Sequence, residues 1–284
     1  MTRQPFLRPW VLSAPGISLF VCMLLVPLAL TAVLSFNAFD HVTGIKNQWT
    51  IEHYLTIVTD PYYHGIFWRT FWVSCLTALL CMVIGVPEAY ILSRMSNPWR
   101  SIFLLVLLAP LLVSVVVRSF GWSILLGPQS ILHSLFDAIG VGPVKILYTE
   151  SAIIIGLVHV MLPFMVIPVW TSLQKLDPEV QNAALSLSAT PLTTMRRIIL
   201  PQIMPGVLSG SLIVFGLSAS SFVIPGLLGG RRLKMVATIV YDEYMHELNW
   251  PFGAAVALIL LSVNLIIMVT YNRMVEGRYK KSMG

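Results

Sequence analysis

Ser151-Ala-Ile-Ile-Ile-Gly-Leu-Val-His-Val-Met-Leu-Pro-Phe-Met-Val-Ile-Pro-Val-Trp-Thr-Ser-Leu-Gln174 contains no Asp, Glu, Lys or Arg. A helix rises about 1.5 Å per residue, so about 20 apolar residues cross the hydrocarbon core of a bilayer. The stretch is long enough to span. Similar uncharged stretches run over 9–39, 70–87, 101–117, 119–136, 198–230 and 248–272. The composition agrees: 11% of residues are charged, 57% are hydrophobic, and the mean hydropathy is +0.82. A soluble domain carries roughly 25% charge. One soluble core cannot hide this much apolar surface, so the chain reads as all-α and membrane-embedded.

The 119–136 stretch is cut by Gly121, Gly127 and Pro128 and reads as the end of one helix followed by a loop. Six spans are then expected, at about 11–36, 70–93, 101–126, 151–174, 205–228 and 252–272. The first, preceded by Arg3 and Arg8, is too long for a signal-peptide core and reads as an uncleaved span. With the N-terminus in the cytoplasm, 11 Lys and Arg fall inside and 6 outside, and Arg118 lies within a span. The positive-inside rule selects that orientation, with both termini cytoplasmic. The net charge of +6 is thus a topology signal, and with no basic stripe it does not point to nucleic acid. Cys22, Cys75 and Cys81 lie in spans without metal-ligand spacing, so they read as small apolar side chains and no metal site is expected.

The loops differ in character. Residues 37–69 form an aromatic-rich outer loop, 96–100 a tight inner turn, 127–150 an outer loop with a short helix from Ile131 to Ile139, and 229–251 a third outer loop. The largest inner segment is 175–204. Asp177 suits an N-cap, Pro178 the first helical position and Glu179 the first turn. Thr190 and Pro191 repeat the pattern. Two short capped helices are expected there, with Pro201 and Pro205 leading into the fifth span.

Asn182-Ala183-Ala184, Ser188 and Ile198-Ile199-Leu200-Pro201 resemble the EAA loop of binding-protein-dependent ABC import permeases. Two positions depart: Asn182 stands where the family has Glu, and Ser188 where it has Gly. The first change removes a charge; the second restricts a bend, because Gly reaches positive φ freely. Val117-Arg118-Ser119-Phe120-Gly121-Trp122, Gly156–Met165, Phe222–Gly230, Gly85–Tyr90 and Trp250–Ala254 resemble the spermidine/putrescine-type permeases. The likeness covers about 65–265 of a single transmembrane domain, 1–284.

The resemblance implies a type I importer permease in a bacterial inner membrane. It implies pairing with a second permease, two ATP-binding subunits that hold ATP and Mg, and a periplasmic solute-binding protein. No cofactor is expected in this chain, which has no G-x-x-x-x-G-K-[ST] loop. The expected substrate is a polyamine of the spermidine or putrescine kind; amino-acid-like, opine and phosphonate solutes are the alternatives. Coupling to the ATPase is expected at Asn182, Ala183, Ala184, Leu185, Ser188, Ala189, Leu200 and Pro201.

Ionisable residues in spans are costly, so they mark function. Glu88 and Arg118, with Trp122 and Phe222 from the family-like segments, are the candidates for the pathway or its gate. Glu88 and Arg118 differ in depth by roughly 15 Å at the helical rise and are not expected to pair. Arg118 is expected to bond helix-end carbonyls, and His159 to bond a neighbouring helix. A membrane enzyme would need a reactive constellation, and H-E-x-x-H and G-x-S-x-G are both absent. A secondary transporter would need inverted repeats and several buried acids, of which only Glu88 qualifies.

Overall fold

The computed structural model describes residues 8–138, 145–177, 179, 186 and 188–282. In chain order its elements are α1 (Arg8–Leu34), β1 (Asn37–Asp40), β2 (Gly44–Trp49), α2 (Glu52–Thr59), α3 (Pro61–Arg94), α4 (Trp99–Leu112), α5 (Val115–Leu125), α6 (Ile131–Ala138) and α7 (Glu150–Leu173). There follow α8 (Pro191–Thr194), a π-helical turn (Met195–Ile199), α9 (Leu200–Ala219), α10 (Val223–Leu228), a 3₁₀ turn (Gly230–Arg232), α11 (Val236–Met245) and α12 (Trp250–Ser282). Among the described residues five helical stretches are long and apolar enough to cross a membrane, or six if the bent α4–α5 pair is one span. The fold is thus helical with five to six candidate spans, in line with the uncharged stretches.

Three features correct the expected layout. The third span is not one helix over 101–126: α4 and α5 meet at 97°. Pro110 weakens the last turn of α4 by removing a backbone donor. Val113 and Ser114 then leave the helical basin, with ψ of 139° and 133°. The fifth span runs over Leu192–Ala219 rather than 205–228, and residues beyond Ser220 turn into the short α10. Pro201 does not end a helix here. A proline ring presses on the carbonyl four residues back and offers no N–H. The π winding just before it relieves this, with the Leu200 N–H reaching back to Met195 O. The second span starts at Pro61 rather than 70.

The first connection holds a hairpin that the all-α reading missed. Asp40 Oδ1 accepts from the N–H of Val42 (2.8 Å) and Thr43 (3.2 Å), and its Oδ2 accepts from Lys46 Nζ (2.8 Å). Gly44 closes the turn at φ +76°. These contacts hold the Asp40 carboxyl down at about 2, chiefly through the Lys46 bond.

The chain divides into two units, 1–61 with 239–262, and 62–238 with 263–284. In the first, the end of α1 is tied to α2: Ser35 Oγ lies 2.7 Å from Tyr54 OH. Phe36 stacks near Trp49 and Tyr54, at 6.0 and 5.2 Å between ring centres. In the second, α7 is central. Close approach is made by small residues on its neighbours. A Cβ on Gly85 of α3 or on Gly210 of α9 would meet Met165 at 2.9 Å, and one on Gly206 would meet Pro168 O at 2.5 Å. Met165, Val166 and Val169 are fully enclosed. α10 packs against α5 and α7, where Gly156 admits Leu228 and Ile224.

Candidate functional site

The bend between α4 and α5 decides where the intramembrane polar residues point. Arg118 and Trp122 lie four residues apart on α5, hence on one face. The Trp122 indole N–H donates to His159 Nδ1 of α7 at 3.2 Å, with the rings edge-on at 5.6 Å. Indole has no acceptor, so Nδ1 accepts and the imidazole proton sits on Nε2. His159 therefore bonds a neighbouring helix, as its sequence position suggested.

Arg118 differs from its expectation. Its Nε and Nη1 are enclosed with no hydrogen-bond partner among the described residues, so neither makes the expected bond to a helix-end carbonyl. Glu88, in α3, has its Oε2 enclosed in the same way. Among the described residues no ion pair joins Glu88 and Arg118. Phe222 stands at the start of α10, 40% exposed, with its carbonyl accepting from the Gly226 N–H at 3.0 Å.

The segment after α7 forms a second site. Asp177 Oδ1 accepts from Glu179 N–H at 2.9 Å, the cap its sequence implied. Asn182, Ala183, Ala184 and Leu185 lie outside the described residues. Ser188, where the resemblance expects Gly, adopts φ +59°. Ala189 is half-buried. Thr190 caps α8, its Oγ1 accepting from Thr193 N–H at 3.3 Å. From Pro191 through the π turn, Leu200 and Pro201, the chain stays helical to Ala219. The expected pair of separate helices is thus corrected for the second: it is the first turn of the fifth span.

One cluster escaped the sequence reading. Arg69 of α3 donates from Nε to Glu150 Oε1 (3.0 Å) and from Nη1 to Lys234 O (3.2 Å). Beside it the Val236 N–H donates to buried Thr70 Oγ1 at 2.9 Å. Tyr148 N–H donates to Leu228 O at 3.0 Å. Tyr148 holds φ +65° and Gly230 φ +62°, the Tyr148 ring sitting where a Cβ on Gly230 would be. Arg69 had counted only as a basic residue outside a span, and nothing local in the sequence pairs it with Glu150.

Comparison with known proteins bears on these sites. The family described as binding-protein-dependent transport system inner membrane component matches residues 10–280. The spermidine/putrescine transport system permease protein PotB of Haemophilus influenzae is 32% identical over 258 residues, covering 90% of each chain. Its Escherichia coli K12 counterpart is 32% identical over 241 residues, covering 84% of this chain and 87% of that one. Among solved structures, a chain of a bacterial ABC transporter involved in the import of the acidic polysaccharide alginate has a TM-score of 0.74 at 18% identity, with 94% and 95% coverage. A chain of the MetNI methionine ABC transporter has a TM-score of 0.58 at 16% identity; these two show likeness of fold. The chain belongs to the binding-protein-dependent inner membrane component family, as a pore-forming permease subunit of an ABC importer.

Proposed function

We propose that this permease imports a polyamine of the spermidine or putrescine class. In this reading it pairs with a second permease, is driven by two ATP-hydrolysing subunits docked on 175–204, and is fed by a periplasmic binding protein. Both termini lie in the cytoplasm, as the 11 inner against 6 outer Lys and Arg imply. ATP and Mg belong to the partner subunits. The observation that carries the substrate is the 32% identity to spermidine/putrescine permeases over most of both chains. Asn182, Ala183, Ala184, Leu185, Ser188, Ala189, Leu200 and Pro201 transmit the motion of the ATPases. The unbroken helix from Pro191 to Ala219 supports this, because it makes the end of the coupling segment and the fifth span one lever. Glu88, Arg118, Trp122 and Phe222 serve the pathway or its gate.

A second reading, a solute bearing a carboxylate or phosphonate, draws on Arg118. Its enclosed Nε and Nη1 are donors without an acceptor, and an unpaired buried charge is costly. The deciding experiment reconstitutes the permease with its cognate partners in proteoliposomes and follows ATP-driven uptake of labelled spermidine. The polyamine reading expects uptake that excess putrescine suppresses and amino acids do not. Uptake of an amino acid or phosphonate with no spermidine transport selects the second reading. Ala184→Trp is expected to abolish coupled hydrolysis while leaving membrane insertion intact; full coupling in that variant removes the docking role of the segment.

A further inference from the structure

We propose that Arg69 is a positioning residue that clasps the connection following α10 to the N-terminal part of α3 and the start of α7, and that this clasp opens when the periplasmic mouth admits substrate. The proposal rests on the topology above, which places these ends on the periplasmic side. Arg69 sits on α3 and reaches two other parts of the chain at once. Its Nε holds the carboxylate of Glu150, the first residue of α7, and its Nη1 holds the carbonyl of Lys234. Thr70, the next residue, accepts the Val236 N–H. The far side of the same connection is held by Tyr148 N–H on Leu228 O, the last residue of α10. Residues 228–236 are thus fixed at both ends, by Arg69 and Thr70 of α3 at one and by Tyr148, just before α7, at the other. α10, which precedes them, packs on α5, the helix of Arg118 and Trp122. Whatever moves 228–236 therefore bears on α10 and, through it, on α5.

The clasp differs in kind from the rest of the unit. Apart from the Trp122–His159 bond, α7 is elsewhere held mainly by enclosed apolar packing, which resists gradual deformation. The Arg69 and Glu150 side chains are 26% and 42% exposed, so water replaces each partner at small cost when the pair separates. An importer needs one surface that parts and re-forms in every cycle, and discrete polar contacts of this kind have two states rather than a continuum. Glu150 adds a directional element: as the first residue of α7 it complements the helix dipole and remains placed when Arg69 leaves.

The test uses the full permease with its partners, in a background with Cys22, Cys75 and Cys81 replaced by alanine and Gly226→Cys as a reporter on α10. Gly226 has nothing within 4 Å of an added Cβ, so the reporter itself does not disturb packing. The rate of reaction with a membrane-impermeant maleimide from outside is measured alongside substrate-independent ATP hydrolysis. Arg69→Gln and Glu150→Gln are each expected to raise the labelling rate about two- to threefold, the weight of a partly exposed ion pair, and to raise uncoupled hydrolysis. Glu150→Gln keeps an acceptor and the helix start, so it carries the test should the Arg69 variant fail to assemble. The exchange Arg69→Glu with Glu150→Arg is expected to return part of the effect, which a purely structural role does not predict. Parental labelling and coupling in assembled Glu150→Gln overturn the proposal. Lys145→Cys, labelled in parallel, separates the two failures: external labelling there with no change at 226 rejects the clasp, whereas no labelling at 145 rejects the topology.

Discussion

α1 and α7 are near twins as sequences and opposites in surroundings. After its first residue each is a long uncharged run with two internal prolines, Pro15 and Pro27 in one, Pro163 and Pro168 in the other. Of the most apolar window in α7, 61% is buried within the chain; of the corresponding window in α1, none is. Apolarity reports the solvent a helix tolerates, which is lipid for both. It does not report neighbours, because lipid tails and leucine side chains are equally apolar and close contact depends on small residues. The neighbours of α7 are written in other helices, as Gly85 of α3 and Gly206 and Gly210 of α9, which let backbones close on Met165, Pro168 and Ser172.

The largest expected effect tests that contrast directly. Gly206→Leu places a side chain against Pro168 O and Ser172, and is expected to destabilise the permease by about 3 kcal/mol or more, at or above the upper end of ordinary overpacking. Gly16→Leu in α1 meets nothing within 4 Å and is expected to be silent. The retention of monodisperse protein after heating in detergent measures both, and equal loss from the two variants would remove the contrast. A smaller effect is expected from Trp122→Phe, which strips the α5 donor from His159 Nδ1. The cost is about 1–3 kcal/mol for the abandoned acceptor, read from the same heating series, with Phe120→Leu on the exposed side of α5 as the silent partner.

Smaller again is Ser188→Gly, just before α8. A non-glycine residue at φ +59° carries roughly 1–2 kcal/mol of strain. The glycine variant is expected to recover part of that, since its own unfolded chain is freer, and to keep coupled hydrolysis at the parental level. Reduced coupling would show that the side chain, not the bend, matters. The smallest effect lies beyond α1. Asp40 is held at about 2 against an ordinary 3.8. A depressed carboxyl stabilises the folded hairpin above its unfolded value, and the contribution fades as pH falls through the folded one. Hydrogen-exchange protection at Val42 is therefore expected to be level from neutral pH down to about 4 and to drop toward about 2. In Asp40→Asn it is expected to be lower and flat over that range, apart from the intrinsic pH dependence of exchange.

What the sequence disclosed was what is decided locally. Spans show as uncharged runs because one charge in the hydrocarbon is expensive. The Asp177 and Thr190 caps are legible because donor and acceptor lie within three residues. Ser188 was half legible: the resemblance located a glycine position, and the structure puts positive φ there. The 97° bend was hidden because Val113 and Ser114 are unremarkable residues, and only Pro110, inside an apparently uniform span, hints at it. Pro201 was expected to lead into the fifth span, but nothing local in the sequence shows the π turn that absorbs its missing N–H and carries the helix through it. The Arg69–Glu150 pair is separated by 81 positions and exists only once α3 and α7 stand together.

The bent α4–α5 span also sets a timetable for synthesis. A straight span can slip sideways into lipid as soon as it is made, since every backbone group is bonded within it. One that breaks at Val113–Ser114 exposes carbonyls that hydrocarbon cannot satisfy, and α7 and α10, which pack on α5, have not yet been translated. The roughly one hundred residues between Leu125 and Leu228 take on the order of 5–20 s to polymerise. Over that interval residues 99–125 need a watery or proteinaceous shelter, so the insertion machinery must retain this span long after it has let α1 go.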